Sequence, residues 1–149
     1  MPLVSDQLPK HLERIHIMGI AGTAMASLAG MLKDSGYTVT GSDKAIYPPM
    51  STYLERLGIP IMEGFKASNL NHNPDLVVVG NVIRAIYEEA EALQSSHLPY
   101  CSFPQLLGHL FLKEAHSVVV AGTHGKTTTT SIAAWLLESK GLNPGFLIG

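Results

Sequence analysis

A chain of 149 residues with 46% hydrophobic and 15% charged side chains can bury a substantial core and suits roughly one domain, which excludes a disordered class. Ten Lys and Arg against twelve Asp and Glu leave a net charge of −2, so no global basic field gathers nucleic acid or an anionic membrane, and any bound phosphate must be held locally. The one cysteine, Cys101, excludes an intramolecular disulfide, a CxxC redox pair and a cysteine metal cluster, and a reducing cytoplasm is the simplest compartment.

The uncharged stretch 15–32 has the length of an export signal, but Gly19, Gly22, Thr23, Ser27 and Gly30 interrupt its apolar character. It reads instead as strand, loop and helix. Ile15 and Ile17 alternate with polar neighbours over 14–18; after Gly19 to Gly22 a period near 3.6 puts Met25, Leu28, Ala29 and Leu32 on one helical face, with Gly36 as the stop. A second strand over 37–40 ends at Gly41-Ser42-Asp43, completing a βαβ unit. A short helix over 51–57, with Thr52 and Glu55 at capping-box spacing, precedes a third strand at 59–62.

The apolar run 75–80 suits a strand buried on both faces of a parallel sheet. A helix over about 84–94 follows, with Ile86, Ala90 and Leu93 inward and Glu88, Glu89 and Glu91 on a solvated face. Next come a short strand at 99–101, a helix at about 104–112 and another buried strand at 117–121. This alternation predicts an α/β fold, an open, doubly wound, mostly parallel sheet.

Two loops can do chemistry. Strand 117–121 leads into Gly122-Thr123-His124-Gly125-Lys126-Thr127-Thr128 and a helix, the order of a phosphate-binding P-loop. Glycines let successive N–H groups face one phosphate and the helix N-terminus adds partial positive charge. Lys126 would reach the β and γ oxygens, and the Thr127 hydroxyl would help coordinate a magnesium ion. The loop is shorter than G-x-x-x-x-G-K-[ST], which would place glycine at Val120. His124 reads as a loop side chain near the nucleotide rather than a catalytic base.

The other loop, Gly19-Ile20-Ala21-Gly22-Thr23, lies where a dinucleotide fingerprint would, with Ala21 at the middle glycine and Ala24 at the last. Asp43, 24 residues after Gly19, could bind ribose hydroxyls. Gly19 and Gly22 could equally serve close helix–strand packing. A dehydrogenase would not need Lys126, and a simple P-loop kinase would not place a whole α/β layer before its nucleotide loop. An enzyme joining a nucleotide-linked substrate to something else at the expense of ATP would need both loops.

Gly122-Thr123-His124-Gly125-Lys126-Thr127-Thr128-Thr129 resembles the ATP loop of the Mur ligase family, and the Gly19 loop with Gly41-Ser42-Asp43 resembles the UDP-binding domain of its muramate-handling members. Some members carry histidine after the glycine that follows the third strand, where this chain has Gly64-Phe65. The resemblance implies a variable N-terminal extension at 1–13, a Rossmann-like UDP-sugar-binding domain at 14–115 and, at 116–149, the first β-loop-α unit of a P-loop ATP-binding domain cut short by truncation. It implies an ATP- and Mg²⁺-dependent ligase that joins the carboxylate of UDP-N-acetylmuramate to the murein tripeptide L-Ala-γ-D-Glu-meso-diaminopimelate through an acyl phosphate, with L-alanine as the alternative amine. Lys126 would be catalytic; Gly122, Thr123, His124, Gly125, Lys126, Thr127 and Thr128 would bind ATP. Backbone N–H groups of Gly19, Ile20, Ala21, Gly22 and Thr23 would hold the UDP diphosphate, and Ser42 and Asp43 the uridine side. Asn81 faces the same crevice, although an Asn after Gly80 serves equally as a helix cap. An NAD(P)-dependent oxidoreductase and a UDP-sugar-binding module with an inert second loop are the alternatives from other classes.

Overall fold

In the computed structural model, which describes residues 8–148, the alternation at the start of the chain forms β1 (Arg14–Met18) with Ile15, His16, Ile17 and Met18 all buried. Residues 1–7 of the expected N-terminal extension lie outside the described residues. The chain divides into two units, one ending at Lys113 and the other beginning at Glu114.

In the first unit, β1 leads through a glycine turn into α1 (Thr23–Asp34), which buries Ala26, Leu28, Ala29, Gly30 and Leu32. Gly36, at φ +93°, takes the left-handed conformation that lets the chain turn back into β2 (Thr38–Asp43). Pro49 caps α2 (Met50–Arg56), so Thr52 is already inside the helix and the expected Thr52–Glu55 capping box does not form. β3 (Ile61–Glu63), a 3-10 turn at Ala67–Leu70 and β4 (Leu76–Val79) follow. The helix expected over 84–94 is shorter, α3 (Glu88–Ser95); Ile86 lies outside it and is exposed, while Glu89, expected in solvent, is fully buried. After β5 (Tyr100–Ser102), the helix expected over 104–112 is α4 (Phe103–Leu107) continued by one π-helical turn, Gly108–Leu112.

The five strands are all parallel, in the order β3-β2-β1-β4-β5. One face packs Ile15, Ile17, Val39 and Val78 against Leu28 and Leu32 of α1, Leu54 of α2 and Leu106 of α4. The other packs Met18 and Val77 against Leu70 and against Ala90 and Leu93 of α3. Covering both faces is what an all-parallel sheet requires. The chain first moves outward from β1 to β2 and β3, then returns to the other side of β1 for β4. Adjacent strands β1 and β4 therefore send their following loops in opposite directions, which opens a crevice at their carboxyl ends.

The second unit contains α5 (Lys126–Ser139). The buried strand expected at 117–121 is not formed: these residues pair with no strand among those described, and Val118 and Val119 are exposed. An apolar run becomes a strand only when a neighbour takes its N–H and C=O groups and covers its faces. Trp135 and Ala134 of α5 line a hollow of about 350 Å³ with Pro144, Phe146 and Ile148. Among the described residues no helix is long and apolar enough to cross a membrane.

The entry to β1 is fixed by Asp75, whose Oδ2 accepts the N–H groups of Arg14 at 2.8 Å and Glu13 at 3.1 Å while Oδ1 takes the Arg14 guanidinium at 2.9 Å. The Arg14 side chain and these N–H donors hold the Asp75 carboxyl down at about 2, against an ordinary value of 3.8. A depressed folded-state value contributes stability that is complete above the unfolded value and is lost as pH falls through the folded one. Urea midpoints should therefore drop between about pH 4 and pH 2, and Asp75→Asn should remove part of that drop, measured by fluorescence-monitored unfolding. The part removed should be modest because the pair is open to solvent.

Candidate functional site

The crevice at the carboxyl ends of β1 and β4 is a cleft of about 410 Å³. Gly19, Ala21 and Gly22 form one side with Met25 of α1; Gly80, Asn81 and Val82 form the other, and Asp43 and Phe103 border it. Glycine is needed where the walls approach. A Cβ on Gly80 would stand 2.8 Å from the Met18 carbonyl oxygen, and one on Gly41 would stand 2.8 Å from that of Ile17 and 2.5 Å from the Ile20 side chain.

The glycine loop is held by the end of β2. The N–H groups of Gly19 and Ile20 both donate to the Ser42 carbonyl, at 2.8 and 3.1 Å. The Ala21 N–H donates to Asp43 Oδ2 at 2.9 Å, and the Gly22 N–H makes a long bond of 3.4 Å to Gly19. These are the donors expected to face a diphosphate, and the structure spends Gly19, Ile20 and Ala21 inside the loop. The Ile20 side chain is buried in the core. The first bond of α1 runs from the Ala26 N–H to Gly22, so the N–H groups of Thr23, Ala24 and Met25 have no partner within the helix. Ala24 and Met25 line the cleft, so these donors are placed where an anion could use them.

Ser42 and Asp43 also depart from expectation. Ser42 is fully buried, and its hydroxyl oxygen has no hydrogen-bond partner. Its useful group is the carbonyl that receives the loop. Asp43 does border the cleft, but Oδ1 accepts the Lys44 N–H at 2.7 Å while Oδ2 takes Ala21. It is first a clamp on the loop. Asn81 lines the cleft and caps no helix, since Tyr87 stands at the N-terminus of α3. Phe65 stacks on Tyr87 with ring centroids 5.0 Å apart.

In the second unit, Gly125 at φ +79° turns the loop into α5. The first helical bond is from the Thr129 N–H to Gly125, leaving the N–H groups of Lys126, Thr127 and Thr128 at the open end. Lys126 Nζ folds back to donate to the Gly122 carbonyl at 2.8 Å and to that of Thr123 at 3.4 Å, closing the loop into a ring. Gly122, Thr123, His124 and Thr127 are exposed. Among the described residues no three His, Cys, Asp or Glu side chains stand together as a metal site. The donor set nevertheless suits a magnesium nucleotide: a cation, a hydroxyl and three N–H groups, with phosphate oxygens supplying the other metal ligands.

Sequence reasoning missed the polar cluster beneath the sheet. His16 and Glu89 are both fully buried and 2.7 Å apart; His16 Nδ1 is 2.8 Å from Thr40 Oγ1, which is 3.0 Å from His72 Nε2. His72 titrates below the ordinary histidine range because burial, and then the neighbouring His16, disfavour its charged form. A histidine in a strand covered on both faces was the available clue. Cys101 is buried, and that burial pushes its thiol up to about 11, leaving little thiolate at neutral pH.

A family model described as the catalytic domain of the Mur ligase family matches residues 14–114. The UDP-N-acetylmuramate–L-alanyl-γ-D-glutamyl-meso-2,6-diaminoheptandioate ligase of Escherichia coli (strain K12) is 48% identical over 136 residues, covering 91% of this chain and 30% of that protein. The crystal structure of the corresponding ligase from Neisseria meningitides superposes with a TM-score of 0.90 at 49% identity, over 93% of this chain and 43% of that one. The UDP-N-acetylmuramate–L-alanine ligase of Dictyoglomus turgidum is 41% identical, over 92% of this chain and 29% of that protein. The chain thus spans about 30% of the length of the curated relatives it matches.

The close approach at Gly41 makes a direct forecast. Gly41→Ala should cost about 1–3 kcal/mol of stability through overpacking against Ile20 and the Ile17 carbonyl, read by urea denaturation, and should loosen the glycine loop.

Proposed function

This chain belongs to the Mur ligase family, and we propose that it is the UDP-sugar-binding part of an ATP-dependent ligase joining UDP-N-acetylmuramate to the tripeptide L-Ala-γ-D-Glu-meso-diaminopimelate, in the recycling of peptidoglycan. The observation that carries the reading is that one chain holds two glycine turns, each feeding a helix whose first three N–H groups are unspent, and only one of them followed by Lys-Thr. Residues 14–115 are then the UDP-sugar domain and residues 116–149 open the ATP domain, in a cytoplasmic enzyme. The tripeptide is preferred to L-alanine because relatives that act on it are more similar, 48% against 41% identical.

The muramate carboxylate attacks the γ-phosphorus of ATP, releasing ADP and forming an acyl phosphate. The amine of the tripeptide then attacks the acyl carbon, phosphate leaves with its bonding pair, and the amine proton passes to solvent or base. The first step brings anions together, so it needs fixed positive charge. Lys126 would exchange the Gly122 and Thr123 carbonyls for phosphate oxygens. Thr127 would ligate a magnesium ion, which when bound offsets the charge on the β and γ oxygens. The N–H groups of Thr23, Ala24 and Met25 would receive the UDP diphosphate, Asn81 would border it, and Asp43 would keep the loop in place.

In the complete protein, phosphate release should require ATP, UDP-N-acetylmuramate and tripeptide together, and Lys126→Ala should lower kcat by roughly 10²-fold or more, the scale of losing a main charge stabiliser. Preference for free L-alanine would move the assignment to the other ligase. Unchanged ATP affinity in the Lys126→Ala variant would favour instead a sugar-nucleotide-binding module whose second loop is inert.

A further inference from the structure

We propose that Glu89 is a positioning residue for the glycine loop, acting through Asn69, Gly64 and Asp43. A fully buried carboxylate is expensive unless every lone pair it turns inward is used, and an apolar residue would pack α3 against the sheet at lower cost. What the carboxylate adds is a pair of acceptors. Oε1 takes His16 of β1 at 2.7 Å, and Oε2 takes the Asn69 amide at 3.0 Å.

Asn69 Nδ2 carries two hydrogens and serves two acceptors, Glu89 Oε2 and the Gly64 carbonyl, the latter at 2.8 Å. Glu89 thereby dictates that the amide, rather than its oxygen, faces Gly64. Gly64 sits at φ +83°, a conformation that turns its two peptide groups toward different partners. Its N–H donates to the Asp43 carbonyl at 2.8 Å. Asp43 in turn holds the Ala21 N–H through Oδ2 at 2.9 Å. Every link is 3.0 Å or shorter, and the path leads from the buried face of α3 to the wall of the cleft. A second hold on Glu89 runs from His16 to Thr40 of β2, the strand that ends in Ser42 and Asp43. The loop that meets the ligand is thus fixed from the far side of the sheet. The ligand-binding consequence rests on the UDP-sugar reading above; the coupling itself does not.

The test is amide hydrogen exchange of the ligand-free complete protein, joined to steady-state kinetics. Asn69→Ala breaks the path and leaves the His16–Glu89 pair intact. It should accelerate exchange at Ala21 by roughly fivefold or more through local opening, and should raise KM for UDP-N-acetylmuramate by about fivefold with kcat within about twofold. Should that variant fail to fold, Asn69→Ser is the substitute, because one hydroxyl proton can serve Gly64 or Glu89 but not both. Glu89→Gln in the otherwise wild-type protein should leave both readouts near their wild-type values: its oxygen accepts from Asn69, and its amide donates to His16 Nε2 once the imidazole carries its proton on Nδ1 toward Thr40. Leu93→Ala, on the same helix but off the path, supplies the control at comparable loss of Tm. Unchanged Ala21 exchange in the Asn69 variants, or equal acceleration in Leu93→Ala, would overturn the proposal. A wild-type protein that ignores UDP-N-acetylmuramate would refute the functional reading alone, since exchange is measured without ligand.

Discussion

The first unit depends on one grip: the carboxyl end of β2 holds the turn that follows β1. A parallel strand must hand its chain to a helix within a few residues, and the N–H groups of that turn need acceptors. Ser42 supplies a carbonyl to two of them and Asp43 a carboxylate to a third. With those three satisfied internally, the free donors move one step along, to the first turn of α1. The cleft therefore offers a helix end rather than a ring of loop amides. Its depth follows from the same packing, because Gly41 and Gly80 let Ile20 and the end of β1 come close.

The two glycine turns are held differently in the two units. At Gly19 the loop is anchored by a neighbouring strand and presents no lysine of its own. At Gly122 the Lys126 ammonium itself bridges the loop carbonyls, so the cation that would neutralise a nucleotide also shapes its receptor. This division suits a sugar nucleotide that must be held and a triphosphate that must react. An overall net charge of −2 would be no obstacle to the two phosphorylated ligands proposed, because positive charge is placed locally, in helix ends and one lysine.

Much of this was legible in the chain. Alternation at 14–18 and the 3.6 period after it located β1 and α1, the stretch ending at Gly41-Ser42-Asp43 located β2, the apolar run at 75–80 located β4, and the βα order predicted the parallel sheet. The missing parts share a cause. Glu89 looked solvated because its neighbours Glu88 and Glu91 are charged, and no local window contains His16, 73 residues away. Starting α3 too early placed Ile86 on its inner face, whereas Ala90 and Leu93 do pack inward and Ile86 lies outside the helix. Asp43 borders the cleft but spends its carboxylate on the Ala21 and Lys44 N–H groups, and Ser42, expected beside it, is fully buried and serves through its carbonyl. The run at 117–121 has strand composition, yet composition cannot provide the neighbour that makes a ladder.

The central claim is that the amino end of α1 receives the diphosphate of a UDP sugar. Backbone amide chemical shifts of the complete protein, followed during titration with UDP-N-acetylmuramate and separately with NADPH, test it most directly. The account predicts saturable shifts at Thr23, Ala24, Met25 and Asn81 with the UDP sugar and none there with NADPH. Shifts at those amides with NADPH alone, or UDP-sugar shifts confined to other parts of the chain, would contradict it.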